Sequence, residues 1–150
     1  MQINRDNIKI EIMQESDLEH FENNLIEFDD FWSFKLLKEE FENEFTTCVV
    51  AKIGNEIVGF ASLWEPPFEI HVNNIFVRKD MRGNKIGSII LERLIDIAKE
   101  KQKEELTLEV NINNTTAIKL YENYGFEKIS IRKKYYNNVD DGVIMTKKLI

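Results

Sequence analysis

A strand, a basic loop and a helix follow one another without interruption in the middle of the chain. Ile70 to Val77 has the apolar content of a strand, and the residues from Ile86 to Ala98 repeat apolar side chains at the spacing of a buried helix. Between them, Arg78 to Lys85 carries four cations and one acid, in a chain whose net charge is -7. A helix that begins directly after a strand presents unpaired N–H groups and the positive end of its dipole. The segment therefore predicts a place where an anion can bind.

Two interpretations of this loop are compatible with its residues. Gly83 and Gly87 permit close backbone approach of a ligand or a positive φ, and Arg82 and Lys85 can add charge to a phosphate site. The same residues also fit an ordinary helix entry beside a solvated charge run. Neither Gly-Lys-Ser nor Gly-x-Gly-x-x-Gly occurs, so the loop is not a nucleotide-binding loop of the Walker or dinucleotide type.

The elements around this unit predict an α+β fold. Predicted strands are Ile8–Ile12, Thr47–Lys52, Ile57–Trp64, Ile70–Val77, Leu106–Val110, Phe126–Ile131 and Val143–Leu149; predicted helices run from a cap at Ser16 or Asp17 to about Asn23, and over Ser33–Glu44, Ile86–Ala98 and Thr115–Tyr124. Turns are predicted at Gly54-Asn55 and at Asp140-Asp141-Gly142. The order β-α-α-β-β-β-α-β-α-β-β predicts a mixed sheet with helices against its faces.

Length and composition predict one domain that spans residues 1–150. The chain is 43% hydrophobic and 31% charged, and it has no apolar run near the roughly 20 residues that cross a bilayer. Its start lacks a secretory signal and its lone cysteine, Cys48, cannot form an internal disulfide. We therefore expect a cytoplasmic protein without a membrane partner. The net negative charge argues against a nucleic-acid partner, because phosphate backbones are held by an excess of Lys and Arg.

Several blocks of the chain resemble the GNAT acetyltransferases. The acetyl-CoA loop of that family has the pattern Arg/Gln-x-x-Gly-x-Gly/Ala after a strand ending in Val, and Val77 to Ser88 is similar to it, with Lys85 at the place of the middle glycine. The blocks Leu108-Glu-Val-x-x-x-Asn, Ala117-Ile-Lys-Leu-Tyr-Glu-Asn-Tyr-Gly-Phe and Ile131-Arg-Lys-Lys-Tyr-Tyr resemble the RimI-like branch, the ribosomal-protein alanine N-acetyltransferases. The resemblance implies a three-layer fold with a mixed, mainly antiparallel sheet of six or seven strands and about four helices.

The resemblance also implies the residues of an acetyl-CoA site. The cofactor-binding residues are Ile75, Phe76, Val77, Arg82, Gly83, Asn84, Lys85, Ile86, Gly87, Ser88, Asn114 and Tyr121. Among them, the Val77 N–H polarises the thioester carbonyl and Tyr121 protonates the departing sulfur, while Glu109 acts as the base through water. From the residues alone, Asn114 or Thr115 also fits a helix cap, Glu109 a solvent-facing strand residue and Tyr121 a core aromatic.

On the acceptor side, the resemblance implies two loops, at about 27–33 and 135–142. They carry the predicted substrate-binding residues Phe31, Trp32, Tyr135 and Tyr136. An α-amino group has a pKa of about 7.7 to 8.0 and a lysine about 10.4, so an N-terminal amine is easier to deprotonate near neutral pH. A modest base therefore suffices for such an amine. The resemblance implies direct acetyl transfer, in a ternary complex, to the α-amino group of a protein N-terminus, such as that of a ribosomal protein.

Two other functions stay open from the sequence. One is a GNAT enzyme that acetylates a small-molecule amine, and the other is a catalytically silent acetyl-CoA-binding module. His20 and His71 have no partner spacing for a metal site or a catalytic triad, and Cys48 lies in an apolar strand, so we expect neither a metal nor a cysteine nucleophile.

Overall fold

The computed structural model describes residues 5–24, 33–136 and 140–150, and these residues form one seven-stranded sheet with helices on it. The strands are β1 (Ile8–Ile12), β2 (Thr46–Ile53), β3 (Glu56–Trp64), β4 (His71–Val77), β5 (Glu105–Asn111), β6 (Glu127–Tyr136) and β7 (Asp140–Lys148); the helices are α1 (Glu15–Asn24), α2 (Phe34–Glu42), α3 (Ile86–Glu100) and α4 (Thr115–Asn123). The predicted element order is confirmed. None of the described helices is long and apolar enough to cross a membrane.

The sheet is antiparallel except at one pair of strands. Its strand order is β1-β2-β3-β4-β5-β7-β6, and only the pair β4 and β5 runs parallel, joined by the crossover through α3. These two strands share a single paired position, His71 with Thr107, at the start of β4. Beyond it they diverge. A gap therefore opens between the C-terminal parts of β4 and β5, directly before the basic loop.

The helices cover both faces of the sheet, which gives three layers. One buried cluster joins α3 and α4 to side chains such as Val49 and Ala51 of β2, and a second joins α1 and α2 to the alternate side chains Cys48 and Val50. Because neighbouring side chains of a strand point to opposite faces, β2 is buried on both sides. The predicted α+β fold with a mixed, mainly antiparallel sheet is confirmed.

The predicted cap of the first helix is wrong. The helix begins at Glu15, so Asp17 lies inside its first turn, where a carboxylate oxygen accepts the N–H of Gln14 at 2.9 Å. Asp17 is only 5% exposed and its other oxygen lies 2.8 Å from the ammonium of Lys52 on β2. The carboxylate is thus drawn inward by a partner that is distant in sequence.

The predicted turn at Asp140-Asp141-Gly142 is also wrong. These residues begin β7, and β6 extends to Tyr136 instead of ending at Ile131. Asp141 accepts the N–H of Lys134 at 2.8 Å, and this hydrogen bond, followed by the nearby lysine charges, lowers the pKa of Asp141 below its ordinary value. The acids therefore tie the two strands together, which lengthens the hairpin.

Candidate active site

A cavity of about 600 Å³ lies where the end of β4, the basic loop and the starts of α3 and α4 meet. All of the predicted acetyl-CoA residues line it except Asn84 and Tyr121. Four further residues that the sequence analysis did not identify also line it, namely Met81, Thr116, Ala117 and Leu120. We call this space the loop cavity.

The basic loop turns through two residues in the left-handed region. Gly83 has φ 84° and Lys85, directly before α3, has φ 63° and ψ 19°. For a residue with a β-carbon, this conformation costs about 1 to 2 kcal/mol. The Lys85 carbonyl accepts the N–H of Ile89 at 3.1 Å, so the helix starts at this residue. Asn84, which does not line the cavity, donates its amide to the Met81 carbonyl at 3.0 Å and holds the loop in shape.

The Val77 N–H faces the gap between the strands. The next N–H along the chain, that of Arg78, donates to the Val58 carbonyl of β3 at 2.8 Å. Successive N–H groups of a strand point to opposite sides, so the Val77 N–H points away from β3 toward β5, which has diverged. The Val77 carbonyl accepts from Arg82 Nε at 3.2 Å. The backbone donor predicted for a thioester carbonyl therefore opens into the gap.

The packing of the protein around position 87 does not require a glycine there. A β-carbon built at this position would meet only Val77 Cγ2, at 4.0 Å, which is an ordinary contact. Its φ does not lie in the left-handed region. The glycine thus leaves room beside the first turn of α3, where backbone N–H groups attract an anion.

Glu109 lies in a second cavity, of about 610 Å³, which we call the strand cavity. The residues that line it come from β3 to β7, namely Trp64, His71, Val72, Asn73, Asn74, Thr107, Leu108, Glu109, Arg132 and Ile144. Leu108 and Val110 point into the core under α3 and α4, so Glu109 between them points to the opposite face. Its Oε1 accepts from Arg132 Nη1 at 3.0 Å. Its Oε2 is buried and has no hydrogen-bond partner among the described residues.

Comparison with known families identifies one whose predicted site corresponds to this gap, this loop and this carboxylate. The sequence profile of the acetyltransferase (GNAT) family matches residues 10–126. This chain belongs to the GNAT acetyltransferase family. It is therefore an N-acetyltransferase, in a family whose acetyl donor is acetyl-CoA.

Individual GNAT proteins resemble most or nearly all of the chain. The N-alpha-acetyltransferase RimI of Mycobacterium tuberculosis is 32% identical over 112 residues, which cover 72% of this chain and 69% of that protein. The ribosomal-protein-S18-alanine N-acetyltransferase structure from Escherichia coli has a TM-score of 0.84 and 27% identity, covering 95% of this chain and 94% of the other. A GNAT acetyltransferase structure from Elizabethkingia anophelis with acetyl-CoA bound has a TM-score of 0.76 and 26% identity, covering 96% and 99%. The predicted family and its RimI-like branch are confirmed.

Two predicted residues of the GNAT site lie on α4. Asn114 caps this helix, since its Oδ1 accepts the Ala117 N–H at 3.1 Å, and it also lines the loop cavity. Tyr121 follows Ala117 by one turn on the same face and packs edge-on against Phe126, with ring centroids 5.8 Å apart. Burial raises the pKa of Tyr121 above its ordinary value of 10.0. The phenol therefore keeps its proton throughout the neutral range, as a proton donor must.

The structure does not bring Glu109 and Tyr121 into one cavity. Glu109 lies on the face covered by α1 and α2, whereas Tyr121 belongs to the cluster on the α3 and α4 face. Both cavities border β4, the strand cavity along residues 71–74 and the loop cavity along residues 75–77. The gap beside β4 is thus the route by which groups on the two faces can approach one another.

The structure describes little of the residues that were predicted to bind the acceptor. Phe31 and Trp32 lie outside the described residues, and Tyr135 and Tyr136 end β6 with only their backbone described. Their role in substrate binding stays a prediction.

Proposed function

We propose that this GNAT protein acetylates the α-amino group of a protein N-terminus, such as that of a ribosomal protein, by direct attack on acetyl-CoA. The observation that carries the proposal is the carboxylate of Glu109, a residue that lines a cavity of about 610 Å³ and whose buried Oε2 has no hydrogen-bond partner among the described residues. A cavity of this size has room for the first residues of a peptide. The named activities of the RimI-like relatives, described above, support the same acceptor class.

Glu109 serves as the base in this proposal. An α-amino group is a cation at neutral pH, and a carboxylate that still has an open hydrogen-bonding position attracts it and accepts its proton, directly or through water. The Arg132 guanidinium holds the other carboxylate oxygen at 3.0 Å, which fixes the direction in which Oε2 points. The neutral amine then attacks the thioester carbon from the strand cavity.

The groups on the other side of the gap complete the transfer. The Val77 N–H points into the gap and stabilises the oxygen of the thioester carbonyl as it becomes negative. The new C–N bond forms as the C–S bond breaks, and Tyr121 gives its proton to the departing thiolate. The nitrogen loses two protons on its way from ammonium to amide: Glu109 keeps the first, and the second passes through water to the Tyr121 phenolate, so that atoms and charges balance.

The loop cavity holds the cosubstrate in this proposal. Backbone N–H groups at the start of α3, together with the charges of Arg82 and Lys85, favour the phosphates, and Gly87 leaves room for them. Phe31, Trp32, Tyr135 and Tyr136 contact the peptide in this proposal.

The test is thiol release from acetyl-CoA with two peptides in parallel. One begins with a free alanine, and the other is blocked at its amino terminus but carries a lysine. We expect turnover on the first peptide alone, and a large loss of kcat/KM in Glu109→Gln, which keeps the size of the side chain and removes its basicity. Turnover on neither peptide would point to a small-amine acceptor or a silent binder, and full activity of Glu109→Gln would remove this residue from the mechanism.

A further inference from the structure

A second unpaired polar atom belongs to a residue that lines the strand cavity together with Glu109. Asn74 Nδ2 is buried and has no hydrogen-bond partner among the residues that the structure describes. Asn74 lies on β4 and Glu109 on β5, on the two sides of the diverging gap, and both line the strand cavity. Among the residues that line the cavity, one thus has a buried donor and another a buried acceptor without a partner among the described residues. Buried polar groups of this kind destabilise a fold unless a bound molecule supplies their partners.

An irregularity in the pairing of β4 with β3 gives the adjacent residues Asn73 and Asn74 different surroundings. Ser62 pairs with Asn74 and Leu63 pairs with Val72, so Asn73 is an extra residue in the strand. The Asn73 amide donates to Glu40 on α2 at 2.6 Å. Of two adjacent asparagines, one therefore holds a helix, and the other lines the cavity with a buried amide nitrogen that has no partner among the described residues.

We propose that Asn74 determines specificity for an N-terminal residue by donating a hydrogen bond to the carbonyl oxygen of the acceptor's first residue. This inference rests on the proposed function. In a free N-terminal residue the amine and the carbonyl are attached to the same carbon, so one group can meet Glu109 while the other meets Asn74. A lysine side chain or a polyamine has no carbonyl at that distance from its amine and leaves the Asn74 donor unpaired. A site with a buried donor rejects acceptors that lack the matching group.

A purely structural role for Asn74 makes a different prediction. Its register partner Ser62 also has a buried hydroxyl with no hydrogen-bond partner among the described residues, and Ser62 does not line the strand cavity. If Asn74 only supported the junction of β3 and β4, its loss would affect all acceptors equally. Ser62→Ala is therefore the matched control, since it changes the same junction outside the cavity.

The experiment compares two peptides that both begin with free alanine and differ in one atom. In the second peptide the oxygen of the first carbonyl is replaced by sulfur, which keeps the shape and is a weaker hydrogen-bond acceptor. We expect the unchanged protein and Ser62→Ala to prefer the oxygen peptide by about tenfold in kcat/KM. In Asn74→Leu we expect the preference to fall below about twofold, with a loss of about ten- to a hundredfold on the oxygen peptide.

Each outcome bears on a different claim. If Asn74→Leu keeps the preference of the unchanged protein, or if the unchanged protein shows no preference, Asn74 does not contact the carbonyl and the inference is overturned while the proposed function stands. Turnover of neither peptide by the unchanged protein would overturn both. Thermal unfolding checks that Asn74→Leu is folded, and Asn74→Ala replaces it in the same comparison if it is not.

Discussion

Gly142→Ala should displace the carboxylate of Glu109, the proposed base, without harming the fold. Gly142 on β7 pairs with Asn111 on β5, and a β-carbon at Gly142 would overlap Oε2 of Glu109 and lie 3.2 Å from its Cδ and 3.3 Å from its Cγ. The colliding atoms belong to the free end of a flexible side chain. Glu109 can therefore move away at little cost, and the residue that must move is the proposed base.

The expected magnitudes separate activity from stability. Gly142 does not adopt a positive φ, so alanine fits its backbone, and replacing a glycine inside a strand stabilises a protein by about 0.5 to 1 kcal/mol. The midpoint of thermal unfolding should thus stay equal or rise. Displacing a catalytic group by about 1 Å can cost about a hundredfold, so we expect kcat/KM on the alanine peptide to fall about ten- to a hundredfold.

A double-mutant cycle tests whether the loss acts through Glu109. In the Glu109→Gln background, Gly142→Ala should cause little further loss, because the base has already been removed. Full activity of Gly142→Ala would show that Glu109 works equally well from a displaced position. An equal loss in both backgrounds would show that the alanine acts on something other than this carboxylate, and either result refutes the reasoning.

Three further predictions concern Tyr121, the loop and the buried ion pair. Tyr121→Phe should lower kcat with little change in acetyl-CoA affinity, because only a proton donor used in the transition state is lost; equal activity would exclude this role. Gly87→Glu should weaken acetyl-CoA binding in a titration by placing negative charge near the phosphates, whereas Gly87→Ala, with room at 4.0 Å from Val77, should bind more nearly as the unchanged protein does. Asp17→Ala should lower the free energy of unfolding in urea by about 1 to 3 kcal/mol. Its hydrogen bond raises the pKa of Lys52 above 10.5, so the stability it contributes is present below that pH and is lost as the pH rises through the raised pKa.

The order of the elements could be predicted because each segment carries its own periodicity. Apolar spacing identified α3 from Ile86 onward, and the alternation of β1 gave its limits. The errors concern the ends of helices and strands, where residues that are distant in sequence make the contacts. Asp17 lies inside α1 and pairs with Lys52 of β2, and Asp141 accepts the Lys134 N–H across the last hairpin. No local pattern contains that information.

The site was predicted in part for the same reason. The loop residues lie together in the chain, so a short pattern could name them, and most of them line one cavity. The environment of Glu109 could not be predicted, because Arg132 and Gly142 reach it only through the pairing of β5, β7 and β6. The sequence did not identify Asn74 as a site residue. Its candidacy rests on an irregular pairing of β3 with β4 and on an amide donor that is unpaired among the described residues, and neither can be recognised from a local pattern.

The geometry of the gap favours direct transfer over a covalent acyl-enzyme. A covalent route requires a nucleophile that reaches the thioester, and a thiol acts only when it can ionise. Cys48 is 5% exposed in the cluster under α1 and α2, and burial raises its pKa to about 12, so the thiol stays protonated. It lines neither the loop cavity nor the strand cavity.

Because β4 borders both cavities and its Val77 N–H opens into the gap, an amine held on one face can attack a thioester carbonyl presented from the other. In the proposed mechanism, the divergence of β4 and β5 is what allows the acceptor and the acetyl donor to meet without an intermediate on the protein.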